Sequence, residues 1–217
     1  MLKQILEELK PTQTQLVAVS KTKPNEAILN LYDQGQRAFG ENYVQELVEK
    51  QATLPNDILW HFIGHLQSNK VKYIAPFVTM IHSVDSFKLL QEINKQAAKH
   101  NRVIKVLLQF HIAEEESKFG FDTEGVQQVV QELAQAHLNH VEICGVMGMA
   151  TFTDDKTQVR REFQHLKSIF DNLKYNYFAQ NPSFTQISMG MSDDYKMAIE
   201  EGSTMVRIGS LLFGKRY

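Results

Sequence analysis

One cysteine in 217 residues, Cys144, leaves no internal disulfide and no cysteine-built metal cluster. Such a residue is expected to act as a small buried hydrophobe rather than a reactive thiol. An excess of charge of one sign is also missing, since 23 Lys and Arg stand against 25 Asp and Glu for a formal charge of -2. Without a basic field to attract phosphate backbones or anionic lipid, neither nucleic acid nor a membrane is an expected partner. Long apolar runs are absent. Stretches such as Val103–Leu108, interrupted by Lys105, fall far short of the ~20 residues that cross a bilayer, and Met1–Lys10 lacks the apolar stretch of a signal peptide. These features read as a soluble, cytoplasmic chain. No Ser/Gly-rich linker, repeat or low-complexity tract divides it, and 43% hydrophobic composition suits one full-sized core, so residues 1–217 are expected to form a single domain.

What is present is an alternation of short apolar runs with longer segments of helical period. The strand candidates are Leu16–Ser20, Arg37–Gly40, Trp60–Ile63, Thr79–Ser83, Val103–Phe110, Val141–Val146, Phe184–Ser188 and Met205–Ile208. Between them, Val126, Val129, Val130, Leu133 and Ala134, and then Val159, Phe163, Leu166, Phe170 and Leu173, recur at helical steps. Shorter helical signals cover Ala27–Leu31, Val44–Val48 and Leu89–Ala97, the last with Ser86 as N-cap. Eight strand-helix units of roughly 25 residues match the lower size range of a (β/α)8 TIM barrel, with a doubly wound open sheet as the alternative. Either architecture places ligands at the carboxyl ends of the strands.

Three strand ends carry unusual chemistry. Val17, Val19 and Lys21 share one side of the first strand; if that side is inward, Lys21 is an amine at the mouth of an apolar tube, where desolvation favours its neutral, nucleophilic form. The bland alternative is a lysine reaching solvent. Arg207 interrupts the apolar run Met205–Ile208, and a guanidinium there needs a partner, a carboxylate on a neighbouring strand being the ordinary one. Ser188-Met189-Gly190-Met191-Ser192 and Gly209-Ser210 offer hydroxyls and backbone N–H groups to a phosphate, at the two loops where barrels often hold one. Together these residues suggest a phosphorylated aldehyde or ketone held as a Schiff base, with a sugar-phosphate aldolase among the readings that fit. His61, His65, His82 and His111 lack the pattern of a metal site, and the loop Glu114–Phe121 carries no assigned role.

Val17–Pro24, Phe39-Gly40-Glu41-Asn42-Tyr43, Trp60–Lys70, Lys118-Phe119-Gly120-Phe121, Gly145–Ala150, Ser188–Tyr195 and Val206–Gly209 together closely resemble the pyridoxal-phosphate homeostasis proteins, single-domain relatives of the alanine racemase barrel. The resemblance implies a fold-type III barrel in which Lys21 carries pyridoxal 5'-phosphate as a Schiff base. It implies a phosphate held by Ser188, Ser192, Gly209 and Ser210, with Arg207 facing the pyridine nitrogen and Asn42 in the same mouth. A guanidinium only donates, so the ring nitrogen stays unprotonated and the ring is a poorer electron sink. Racemisation needs an acid/base group on each face of the cofactor, and in the related racemases the second comes from another domain and subunit. The implied role is a non-catalytic carrier in vitamin B6 homeostasis, with PLP-dependent apoenzymes as recipients; a single-barrel amino-acid racemase is the alternative. With no heptad seam or long exposed apolar stripe in the sequence, a monomer is expected.

Overall fold

Eight parallel strands close on themselves in chain order. They are β1 (Gln15–Val19), β2 (Ala38–Glu41), β3 (Leu59–Phe62), β4 (Met80–Val84), β5 (Ile104–Gln109), β6 (Val141–Met147), β7 (Gln186–Ser188) and β8 (Met205–Ile208). The computed structural model describes residues 1–114, 119–121 and 126–214. Closure is made by β1 against β8, with Val17 opposite Arg207 and Ala18 opposite Ile208. This excludes the open sheet, and the architecture is a (β/α)8 barrel.

Alternation along each strand separates two apolar bodies. Leu16, Ala18, Phe39, Trp60, Phe62, Val106, Val206 and Ile208 join the large outer core under the helices. Val17, Met80, Leu107, Cys144, Met147 and Met205 pack together as a smaller, separate cluster inside the barrel. The inner residues one step nearer the carboxyl ends include His61, His82, Gln109, Ser188 and Arg207, all buried. The interior is therefore apolar in its middle and polar below the mouth.

The helices are α1 (Leu2–Leu9), α2 (Asn25–Asp33), α3 (Val44–Thr53), α4 (Val71–Ile74), α5 (Phe87–Lys99), α6 (Val126–Gln135), α7 (Lys156–Asn176), α8 (Tyr195–Glu200) and α9 (Ser210–Phe213). Ser86 caps α5 as its position predicts, its Oγ accepting from the Leu89 N–H at 3.3 Å. Val159, Phe163, Leu166 and Leu173 are the buried face of α7, whereas Phe170 is only half-buried and stacks on Phe184. Helix α1 was not among the expected elements, yet Leu2, Ile5 and Leu9 bury one side of it. No helix among the described residues is long and apolar enough to cross a membrane.

Two strands are irregular against β5. On β4 three steps, Ile81 to Val84, span two on β5, Val106 to Leu108. On β6 the steps Ile143 to Gly145 span a single one on β5. Such bulges re-aim side chains; here Cys144 and Met147 both reach the inner cluster although three residues apart.

Candidate functional site

The turn after β1 carries Lys21, which is half-buried. Ser20 before it turns outward, its hydroxyl donating to Glu41 Oε1 at 2.6 Å. Thr22 after it takes a left-handed φ of 62°, a conformation that a β-branched residue adopts only when its surroundings impose it. Those surroundings are ionic. Lys50 on α3 reaches under the turn and donates to the Ser20 carbonyl at 2.8 Å, to Glu41 Oε1 at 2.8 Å and to Glu46 Oε1 at 2.6 Å. The same Glu46 oxygen accepts the Thr22 N–H at 2.5 Å. Burial pushes the Glu41 carboxyl above its ordinary range, opposed by the Lys50 ammonium and the Ser20 hydroxyl. The lysine's backbone is thus clamped from two neighbouring elements. Lys23 is tied down separately, donating to the carbonyls of Phe213 and Gly214 at 3.0 and 3.3 Å.

Asn42 follows β2 and lines a cavity of about 430 Å³ together with Tyr43, His65 and Lys70. Its Oδ1 is buried without a hydrogen-bond partner, so the mouth holds an acceptor awaiting a donor. On the opposite side, Ser192 and Gly209 meet, the Gly209 N–H donating to Ser192 Oγ at 3.3 Å. Ser210 follows, exposed, at the first position of α9. The loop between β7 and α8 is shaped by Gly190, whose φ of 92° and a would-be Cβ 2.5 Å from that of Ala198 admit no side chain. A larger cavity, about 890 Å³, lies against α1, α7 and α8 and is also lined by Ser192, Asp194 and Leu211. Lys21 lines neither of these two cavities; the mouth is the candidate site because the carboxyl ends of β1, β2, β7 and β8 carry Lys21, Asn42, Ser192 and Gly209 there.

Ser188 is not with that serine-glycine group. It is fully buried deeper in the barrel, where Arg207 Nη1 donates to its Oγ at 2.6 Å and His82 Nδ1 lies 3.0 Å away. His82 Nε2 in turn lies 2.8 Å from His61 Nδ1. Arg207 Nη2 donates to the Gly148 carbonyl at 3.1 Å. The partner of the inward arginine is therefore a hydroxyl and a carbonyl rather than the carboxylate expected on a neighbouring strand; Asp194 acts on it only through its field. Burial lowers the Arg207 pKa to about 10, which leaves the guanidinium charged at neutral pH.

Burial also keeps both histidines neutral, lowering His61 to about 4 and His82 well below 6.5. As pH falls below 6.5 the unfolded chain gains protons on these rings before the folded protein does, so stability present above 6.5 is lost toward pH 4. His61 alone accounts for about 3 kcal/mol of that loss, and His82 adds in the same direction. Urea unfolding from pH 7 to 4.5 is expected to show this decline; a flat profile would contradict it.

The other histidines sit elsewhere. His65 stacks on Phe119 with ring centroids 3.9 Å apart and pairs with Asp85 at 3.0 Å, joining the loops after β3 and β5 at the mouth. His111 is half-buried where the loop folds back on β5. The loop after β5 thus packs against the barrel, through Gln109 Nε2 donating to the Phe119 carbonyl at 2.7 Å; Lys118 of the Lys118–Phe121 motif lies outside the described residues. Among the described residues no three His, Cys, Asp or Glu side chains gather as a metal set. Burial raises the Cys144 thiol to about 11, which suits an inert core residue.

A family model described as alanine racemase, N-terminal domain, matches residues 2–217. This chain belongs to that family. Among curated proteins it is 41% identical over 202 residues to the pyridoxal phosphate homeostasis protein of Aquifex aeolicus, covering 93% of this chain and 86% of that one. The human pyridoxal phosphate homeostasis protein is 40% identical over 221 residues, covering 96% and 79%. PipY of Synechococcus elongatus, solved with PLP bound, superposes with a TM-score of 0.85 at 35% identity, covering 99% of this chain and 100% of that one. Alanine racemase from Bartonella henselae, at 16% identity and a TM-score of 0.74, shares the fold over 59% of its own length.

Of the seven residues singled out in the sequence, Lys21, Asn42, Ser192, Gly209 and Ser210 surround the mouth, while Ser188 and Arg207 form a buried pair beneath it. Glu41, Glu46 and Lys50 carry no such signal in the sequence, because what makes them matter is their long-range contact with the turn at Ser20 and Thr22. His61 and His82 do carry one, since their places between Trp60 and Phe62 and between Ile81 and Ser83 point inward by alternation alone.

Proposed function

We propose that this protein binds pyridoxal 5'-phosphate reversibly at the barrel mouth through Lys21 and serves intracellular cofactor homeostasis in the cytoplasm rather than a reaction of its own. The observation that supports this most directly is the convergence, at one end of one barrel, of a clamped lysine with hydroxyl and N–H donors and a donor-only arginine. Relatives named for pyridoxal phosphate homeostasis, and one solved with PLP bound, agree with it.

The residues present fit the cofactor. Bound there, it supplies an aldehyde open to condensation with an amine and a phosphate dianion. Lys21 offers the amine, with its backbone already fixed by Glu46 and Lys50. Ser192, the Gly209 N–H and Ser210 are donors suited to the phosphate, and the buried Asn42 Oδ1 is an acceptor in the same mouth. Ser188, expected beside them, contributes instead by holding Arg207. Arg207 donates and cannot give up its proton at neutral pH, so it leaves a ring nitrogen without one and disfavours carbanion chemistry. Carriage is the reading this favours over racemisation. Recipients are PLP-dependent apoenzymes, and the carrier acts as a monomer.

The test is an absorbance spectrum of wild type and Lys21→Ala after incubation with PLP and desalting, followed by borohydride reduction and peptide mapping. A retained near-visible band and a pyridoxyl group on Lys21 are expected for wild type, with neither in the variant. A colourless wild type without adduct would overturn the proposal, and turnover of alanine by the loaded protein would favour the racemase.

A further inference from the structure

Arg207, Ser188, His82 and His61 form a continuous buried chain across the barrel from β8 through β7 to β4 and β3. Its polarity follows from one end. A guanidinium has donors only, so Arg207 Nη1 uses a lone pair of Ser188 Oγ and the hydroxyl proton is left for the next neighbour. That neighbour is His82 Nδ1 at 3.0 Å, which must therefore be the bare, accepting nitrogen. A neutral His82 then carries its proton on Nε2 and donates it across 2.8 Å to His61 Nδ1. His61 in turn keeps its proton on Nε2. A cationic His82 would present N–H groups at both ends, and the Ser188 hydroxyl would face two donors with no acceptor for its own proton. Burial, which disfavours the cation at both rings, supports the same assignment.

The hydroxyl of a lone serine rotates freely, and a hydrogen bond to it does not fix an arginine. With His82 accepting its proton, Ser188 has one rotor state, and its lone pair points at Nη1. The Gly148 carbonyl holds Nη2 from the end of β6. Two of the five guanidinium N–H groups are thereby committed in fixed directions.

We propose that His82, backed by His61, is a positioning residue that orients Arg207 through Ser188, so that its remaining donors meet an acceptor of the bound ligand. The role rests on the proposed binding of pyridoxal phosphate, whose ring nitrogen is that acceptor. The proton assignment does not rest on it.

The experiment has two arms. Long-range 15N–1H NMR of histidine side chains in the cofactor-free protein is expected to show two of the eight histidines, assigned by His61→Gln and His82→Asn, as neutral Nε2–H tautomers at pH 7. A proton on Nδ1 of His82, or a charged ring there, overturns the inference whether or not the cofactor binds. In the second arm, PLP is titrated into wild type, His82→Phe and His82→Asn, in which the asparagine Oδ1 replaces the Nδ1 acceptor. Weakening of about tenfold and a shifted cofactor absorbance maximum are expected for His82→Phe, with partial return toward wild type for His82→Asn. Wild-type affinity and spectrum in a folded His82→Phe overturn the positioning role. Failure of the wild type itself to bind PLP overturns the role together with the function it rests on, and leaves the tautomers as a separate result.

Discussion

Gly145→Ala is expected to lower the melting temperature by roughly 10 °C or more, or to leave no soluble protein. Gly145 has a φ of 152°, and a Cβ built on it would lie 1.8 Å from the Gln186 carbonyl oxygen and 2.7 Å from its carbon. Those are backbone atoms of β7, so no rotamer change relieves the clash. The strands must part where β6 pairs with β7, which has only three described register pairs. Overpacking at about 1–3 kcal/mol or more adds to backbone strain of about 1–3 kcal/mol, and a few degrees of melting temperature accompany each kcal/mol at this size. Thermal denaturation followed by circular dichroism measures it. A variant melting within a few degrees of wild type would show that the bulge at Cys144 and Gly145 adapts.

Lys50→Met is expected to cost about 3–5 kcal/mol, because it keeps the length of the side chain while leaving a buried carboxylate unpaired. Glu41 is completely buried and one of its oxygens already lacks a partner. Without the ammonium, only the Ser20 hydroxyl opposes the burial that raises its pKa. The sign of the pH dependence follows. With the folded pKa raised above the unfolded value, the variant is relatively stable in acid and loses stability as pH rises through the folded value. Denaturant unfolding at pH 5 and pH 8 should therefore separate variant from wild type more at the higher pH. Adding Glu41→Gln is expected to recover part of the loss. Equal stability of wild type and Lys50→Met at pH 8 would mean that the Ser20 carbonyl and Glu41 find other donors.

Much of this was legible in the sequence, and the particular failures have physical reasons. Each strand expected is present with its ends moved by a residue or two, because continuous Val, Ile and Phe runs are the mark of a sheet covered on both faces. Helix α1 is only eight residues long, and the three apolar positions Leu2, Ile5 and Leu9 are too few for its period to stand out. Helices α4 and α9, with four residues each, are too short to show a period. Lys21 and Arg207 were found because a charge in an apolar strand is conspicuous. Lys50 was invisible because a lysine on an amphipathic helix ordinarily faces water, and nothing local says that this one turns inward. Ser188 was misplaced by its neighbours, since a Ser-x-Gly-x-Ser loop suggests two equivalent hydroxyls. The strand's last inward position takes the first serine down into the barrel, and only the second stays at the rim.

The join between β1 and β8 brings together segments from opposite ends of the barrel sequence, among the most distant contacts in sequence that the described residues make. Lys23 already reaches across it to Phe213 and Gly214. Lys21 lies on one side of that seam, and Ser192, Gly209 and Ser210 lie on the other. A molecule held by both groups is a staple across the last closure of the barrel, so cargo and container lengthen one another's lifetimes, and the empty protein is the one a protease finds first.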